Sequence, residues 1–249
     1  MSTRLTAVIL TYNEAHHIAA CIDSVRFADD ILVLDSYSTD ETAALAQQYG
    51  ARLLQRAFDD YAGQRNAALA AVEAGWVLFV DADERVTPAL AQEVRAAIAD
   101  ASAVGFDIPR HNYLFGRLTR GAGWYPDYQT RLLRVGQARY DPAKKVHEVV
   151  LLDGPKGTLS EPLVHHNYDN VAQFHAKQRR YVQYDAQILF EQGVRPKFYT
   201  PLTQAARQFV WRYVTLGGWR EGWHGLRLSA LMAWYEVRKW RLLQAMHAK

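Results

Sequence analysis

The sequence predicts an α/β fold built from βαβ units: a mostly parallel sheet with helices on both faces, followed by a helical, basic C-terminal region. Three observations predict it. Short β-forming apolar runs alternate with segments of helical spacing through the first hundred residues. Acidic and polar clusters follow these runs, where an open parallel sheet presents its binding edge. Beyond residue 169 the composition turns basic and aromatic. Strands separated by helices of this length imply crossover connections and a sheet buried from both sides.

The elements follow in order. Leu5–Leu10 is the first strand-like run, and Ala15–Val25 has helical spacing. Ile31–Leu34 is the second strand, Glu41–Tyr49 the second helix, and Ala51–Gln55 a short third strand. Gly63–Ala74 is an alanine-rich helix, Trp76–Val80 a buried strand, and Pro88–Ala101 a helix with proline in its first turn. After Gly105 the pattern loosens, with strands expected over 104–109, 128–134 and 146–152. From about residue 170 the chain reads as helices, interrupted at Gly193–Pro196 and at Gly217-Gly218. One of these helices carries Leu202, Ala206, Phe209, Val210, Tyr213 and Val214 on a single face.

Composition narrows the class. With 249 residues, 49% hydrophobic and 22% charged, the chain can bury a large core and is not a disordered or collagen-like polymer. One cysteine, Cys21, cannot form an internal disulfide. The apolar run near the N-terminus is too short for a signal sequence, and no stretch is apolar enough to span a bilayer. The expectation is a cytoplasmic protein, at most peripheral on the inner face of the cytoplasmic membrane. The net charge of +3 conceals a division. Residues 1–169 hold 16 Lys and Arg against 22 Asp and Glu, whereas residues 170–249 hold 13 against 4, with 5 of the 7 tryptophans. Two regions, 1–169 and 170–249, are expected.

Three clusters follow successive strands: Thr11-Tyr12-Asn13-Glu14, Asp35 to Asp40, and Asp81-Ala82-Asp83-Glu84. Brought to one rim, up to six carboxylates would repel one another unless cations or hydrogen-bond donors lay among them. A hard divalent ion bound by one or two carboxylates and phosphate oxygens answers that need. Local structural roles compete with this reading. Ser38 with Glu41 fits a capping box, Thr87 fits an N-cap before Pro88, and Asn13 suits the cap of the helix near Ala15. Glycine-rich dinucleotide loops, P-loops, zincin histidines and serine nucleophile elbows are absent from the sequence.

TYNE after the first strand, the D-S-x-S-x-D segment, G-x-x-R-N at Gly63–Asn66 and DADE at Asp81–Glu84 together resemble family 2 glycosyltransferases with a GT-A fold. WYPDYQTRLLR at 124–134, KKVHE at 144–148 and LVHHNY at 163–168 resemble, within that family, lipopolysaccharide core β-glucosyltransferases. The resemblance implies a nucleotide-sugar donor, a UDP-sugar favoured, and a glycan or glycolipid acceptor of the cell envelope. It implies that Thr11, Asn13 and Glu14 line the base pocket, with Asp35 near base or ribose. It places Arg65 at the nucleotide or its phosphates, Asp81 at the ribose or donor sugar, and Asp83 of the D-x-D motif on Mg²⁺ or Mn²⁺, with His165 as a further ligand. Family members carry a late Glu-Asp pair; the matching place here holds His147-Glu148, so Glu148 is the candidate base and Asp127 the reserve.

In an inverting transfer a carboxylate accepts the proton of the attacking hydroxyl, while positive charge stabilises the departing diphosphate. Base and metal ligand should then be separate carboxylates. The basic, aromatic region suits an anionic membrane surface, where tryptophans sit at headgroup level. A nucleic-acid partner is not expected, because recognised motifs are absent and the acidic region would repel phosphate backbones. Two rival functions are a sugar-1-phosphate nucleotidyltransferase and a non-catalytic membrane-associated scaffold; the first lacks its expected glycine-rich loop, and TYNEAHH is not one.

Overall fold

The computed structural model describes residues 3–100, 102–143 and 149–248, which group into two compact units. The first comprises residues 1–110 and 127–165, and the second residues 111–126 and 166–249. The sequence reading drew one boundary at 169/170. The segment 111–126 instead groups with the C-terminal helices, a long-range association with no compositional mark.

The first unit opens with β1 (Leu5–Thr11), α1 (Ile18–Ser24), β2 (Asp30–Asp35), α2 (Thr42–Gln48), β3 (Arg52–Gln55), α3 (Tyr61–Ala70) and β4 (Trp76–Asp81). β1 runs parallel to β2 on one side and to β4 on the other, and β3 extends the sheet beyond β2. Alternation explains the double burial. Leu5, Ala7, Ile9, Trp76, Leu78 and Val80 belong to one buried cluster, and Val8, Val77 and Phe79 to another. Successive side chains of a strand point to opposite faces, so a run with both faces apolar must be covered on both. Ile18 and Ile22 of α1 help fill the first cluster, and Ala62, Ala68 and Leu69 of α3 the second.

The chain continues through β5 (Glu84–Arg85), α4 (Pro88–Asp100), β6 (Gly105–Leu114), β7 (Arg117–Leu118), β8 (Tyr128–Arg134), β9 (Ala138–Tyr140), β10 (Val150–Leu152), β11 (Lys156–Thr158) and β12 (Leu163–Tyr168). β8 joins the sheet antiparallel to β4, and β6 lies antiparallel to β8. The sheet is therefore parallel from β3 to β4, antiparallel where β8 joins β4 and β6, and parallel again where β11 pairs with β6. β5 pairs antiparallel with β12, setting His165 opposite Glu84.

Local expectations were met at some termini and not at others. Thr87 Oγ1 accepts the N–H of Leu90 at 3.1 Å, the N-cap bond expected before Pro88. The expected capping box at Ser38 and Glu41 does not form: α2 begins at Thr42, and the Ser38 hydroxyl donates to Asp35. Asn13 does not cap α1, which starts at Ile18 rather than near Ala15. Asn13 has φ +55°, and its side chain accepts from Thr39 N–H across the rim.

Gly75 enters β4 at φ +99°, where an added Cβ would lie 2.3 Å from the carbonyl oxygen of Arg4. Gly75→Ala is expected to lower unfolding free energy by about 2 kcal/mol or more, from left-handed strain and this backbone clash. Urea denaturation measures it; an unchanged midpoint would contradict the strain assignment.

The second unit contains α5 (Val171–Glu191), α6 (Thr200–Val210), a π-helical turn (Trp211–Thr215), a 3₁₀ turn (Gly218–Glu221) and α7 (Trp223–His247). Leu114, Tyr168, Phe174, Leu228 and Tyr235 form its core. Asn170 caps α5 by accepting the Gln173 N–H. No described helix is long and apolar enough to cross a membrane.

Candidate active site

Strand register brings the predicted clusters to one edge of the first unit. Thr11 is paired with Asp35 and Leu10 with Asp81, so the carboxyl ends of β1, β2 and β4 are level. The loops after β1 and β2 hold each other. Ser38 Oγ accepts the Asn13 N–H at 2.9 Å, Asn13 Oδ1 accepts the Thr39 N–H at 2.8 Å, and Thr42 Oγ1 accepts the Glu14 N–H at 2.8 Å.

This interlocking redistributes the residues assigned to a base pocket. Asp35 is fully buried, accepting from Ser38 N–H, Ser38 hydroxyl and Gln55 Nε2. Thr11 is also buried, whereas Asn13 is exposed and Glu14 half-buried. Asp35 thus organises its own loop in this conformation rather than presenting its carboxylate. Tyr12 and Tyr37 are the large exposed side chains of these two loops, and the sequence reading passed over both. The available signal was an aromatic residue set between loop-forming polar residues.

Three consecutive residues of α3 tie the edge together. Gln64 Nε2 donates to Ser36 Oγ and to the Arg56 carbonyl. Asn66 donates to the Tyr140 carbonyl at 2.9 Å and accepts the Tyr140 N–H at 2.8 Å. Between them, the buried Arg65 binds Asp81 Oδ1 at 3.0 Å and lies over the rings of Phe79 and Tyr140. The resemblance implies Arg65 at the nucleotide or its phosphates; in this structure its guanidinium is turned to Asp81 and two aromatic faces.

Asp81 is also bound by both terminal nitrogens of Arg131 from β8. Burial pushes its carboxyl upward, but Arg131, Arg65 and Arg110 outweigh that and hold it well below the usual carboxylate range. The fully buried Glu84 accepts the Asp81 N–H through Oε2, while its Oε1 lies 3.2 Å from Arg110 and 3.5 Å from Arg131. Arg110 also binds Asp127 at 2.7 Å, and Asp127 Oδ1 accepts from Gln129. The acid cluster, expected to hold a cation or hydrogen-bond donors, thus receives much of its compensation from arginines. Sequence reasoning missed Arg110 and Arg131, since neither has a local motif that announces its partner.

Asp83 has a different environment. Its Oδ2 lies 3.4 Å from His165 Nε2, the two side chains being 22% and 7% exposed. The β5–β12 pairing creates this juxtaposition by setting His165 opposite the residue after Asp83. Cys21 lies behind the motif, its thiol directed to the Asp81 carbonyl at 3.5 Å; burial pushes that thiol well above its ordinary pKa. No group of three His, Cys, Asp or Glu side chains able to hold a metal occurs among the described residues. The Asp83–His165 pair supplies one oxygen and one nitrogen donor, a mixed set suited to a borderline cation such as Mn²⁺, with Mg²⁺ favouring oxygens more strongly. Glu148, the candidate base, lies outside the described residues.

Comparison with known proteins agrees with this architecture. Residues 6–150 match the model of glycosyl transferase family 2. The chain is 32% identical over 233 residues to the lipopolysaccharide core biosynthesis glycosyltransferase LpsC of Rhizobium meliloti (strain 1021), covering 89% of this chain and 84% of that protein. It is 38% identical over 97 residues to an uncharacterised glycosyltransferase of Rickettsia felis, covering 39% and 34% of the two chains. The solved structure of S. aureus TarS 1–349 aligns over 98% of this chain and 91% of that one, with 14% identity and a TM-score of 0.51. From its sheet, its family match and its likeness to LpsC, the chain is a glycosyltransferase with a GT-A fold and belongs to glycosyl transferase family 2.

Proposed function

We propose that this glycosyltransferase moves a sugar with inversion from a nucleotide-sugar donor, a UDP-sugar favoured, to a lipopolysaccharide core acceptor. The separation of Asp81 from Asp83 carries the reading. One carboxylate is committed to Arg65 and Arg131, while its neighbour two residues on faces His165. The likeness to LpsC over most of both chains supports the acceptor class.

Thr11, Asn13, Glu14 and Asp35 shape the nucleotide end mainly by fixing the loops that carry Tyr12 and Tyr37, whose flat rings suit a nucleobase. Asp81 and Arg65 set the floor beneath the donor. Asp83 and His165 would hold a Mg²⁺ or Mn²⁺ ion, which when bound supplies positive charge for the diphosphate leaving group. Glu148 takes the proton of the acceptor hydroxyl. Asp127 is less suited to that role, because its oxygens already accept from Arg110 and Gln129.

A panel of UDP- and GDP-sugars, scored for nucleoside-diphosphate release with and without Mn²⁺, tests the proposal. Release from a UDP-sugar that requires metal and rises with a lipopolysaccharide core acceptor is expected. Release from no donor under any of these conditions would remove the reading. Glu148→Gln is expected to bind donor normally and lose transfer by about 100-fold or more. Full activity in that variant, with loss in Asp127→Asn, would move the base to Asp127.

A further inference from the structure

The α6 helix exposes its apolar residues instead of burying them. Leu202 is 67% exposed, Val210 54% and Val214 56%, and only Pro201 of that helix is buried. Leu202, Ala206, Val210 and Val214 recur every four residues, a spacing that keeps neighbours on one side of a helix. Trp211 beside them is exposed, as are Trp219 in the 3₁₀ turn and Trp223 at the start of α7. Phe209 and Tyr213 stack on each other with ring centroids 5.4 Å apart, at the half-buried side of the same segment.

Through residues 195–227 the exposed charged side chains have one sign. Arg195, Lys197, Arg207, Arg220 and Arg227 are exposed. Between residues 192 and 235 the sequence has one acidic residue, Glu221. Its carboxylate is folded inward, accepting the N–H groups of Arg120 at 2.9 Å and Gly121 at 3.0 Å. A second copy of this surface would bury apolar area but bring like charges together. An anionic bilayer accommodates both components, since apolar side chains enter the headgroup boundary while arginines meet lipid phosphates.

We propose that α6, its π-helical extension and the turn into α7 form a docking surface for an anionic phospholipid bilayer. Leu202, Val210, Trp211 and Val214 are the inserting residues, and Arg207 and Arg220 are phosphate contacts. This surface goes beyond the transferase reading and is measured without turnover, so the two can fail separately.

The test is flotation of the full chain with vesicles of phosphatidylcholine alone or with about a quarter phosphatidylglycerol. Flotation with the anionic vesicles only, weakened by salt, is expected. Val210→Asp should reduce partitioning by about 10-fold, and the double variant Arg207→Ala, Arg220→Ala by about 25-fold. These substitutions lie on exposed positions, and an unchanged far-ultraviolet circular dichroism spectrum checks that the helices persist. Wild-type protein that stays at the bottom of the gradient with anionic vesicles at low salt would overturn the proposal. So would variants that float as well as wild type. Self-association abolished by Val210→Asp, with no flotation of either protein, would reassign the stripe to contact between copies.

Discussion

Asp83→Asn is expected to lower sugar transfer by about 1,000-fold, through loss of charge at the diphosphate, while leaving folding stability within about 0.5 kcal/mol of wild type. The residue is partly exposed and faces His165. Neutralising it leaves the arginine network around Asp81 intact. Two readouts check the expectation: nucleoside-diphosphate release across a Mn²⁺ titration, and the urea midpoint. A variant with wild-type transfer at saturating metal would remove Asp83 from the proposed metal site. His165→Ala should shift the metal requirement upward, and an unchanged titration would show that the imidazole contributes nothing to that site.

Asp81→Ala is expected to behave in the opposite way, lowering unfolding free energy by about 3–5 kcal/mol. Arg65 and Arg131 have side chains only 5% exposed, and removing the carboxylate they share uncovers buried positive charge that Glu84, 3.5 Å from Arg131, offsets only in part. Pairing Asp81→Leu with Arg131→Met should cost less than the sum of the single substitutions, because no unmatched charge is created between that pair. Strict additivity would show that the ion pair is not coupled.

The pH dependence has a definite sign. The folded-state pKa of Asp81 is depressed, so its stabilisation is complete above the unfolded value, about 3.9, and declines as pH falls below it. The stability gap between wild type and Asp81→Ala should therefore be constant near neutrality and narrow on acidification below about pH 4. A gap that widened there would contradict the direction of the shift.

The contrast between these carboxylates marks how far the site could be read from residues in order. DADE after an apolar run places two acids at a strand end, but it does not say which acid is engaged from below. Arg131 reaches Asp81 from 50 positions away, and His165 reaches Asp83 across the β5–β12 pairing. Arg65 was visible as a candidate because G-x-x-R-N was visible. Its direction was not, since a helical arginine can face a ligand or a neighbouring strand. The resemblance of the D-S-x-S-x-D segment implies a ligand-facing Asp35, yet Ser38 and Gln55 enclose it.

Local pattern alone determined the β1–β4 strands, their helices and the position of the acidic edge. Period-two burial and helical spacing are written into neighbouring residues, and crossover connections then require a parallel sheet. The antiparallel strands beyond β4 and the grouping of 111–126 with the C-terminal helices needed tertiary structure, because their partners lie far along the chain. The same holds for α6. Its sequence defines an apolar face, but only packing decides whether that face is covered; here it is left to solvent, among basic side chains. Periodicity records which residues share a side, whereas the free energy of burial depends on what the rest of the chain brings to it.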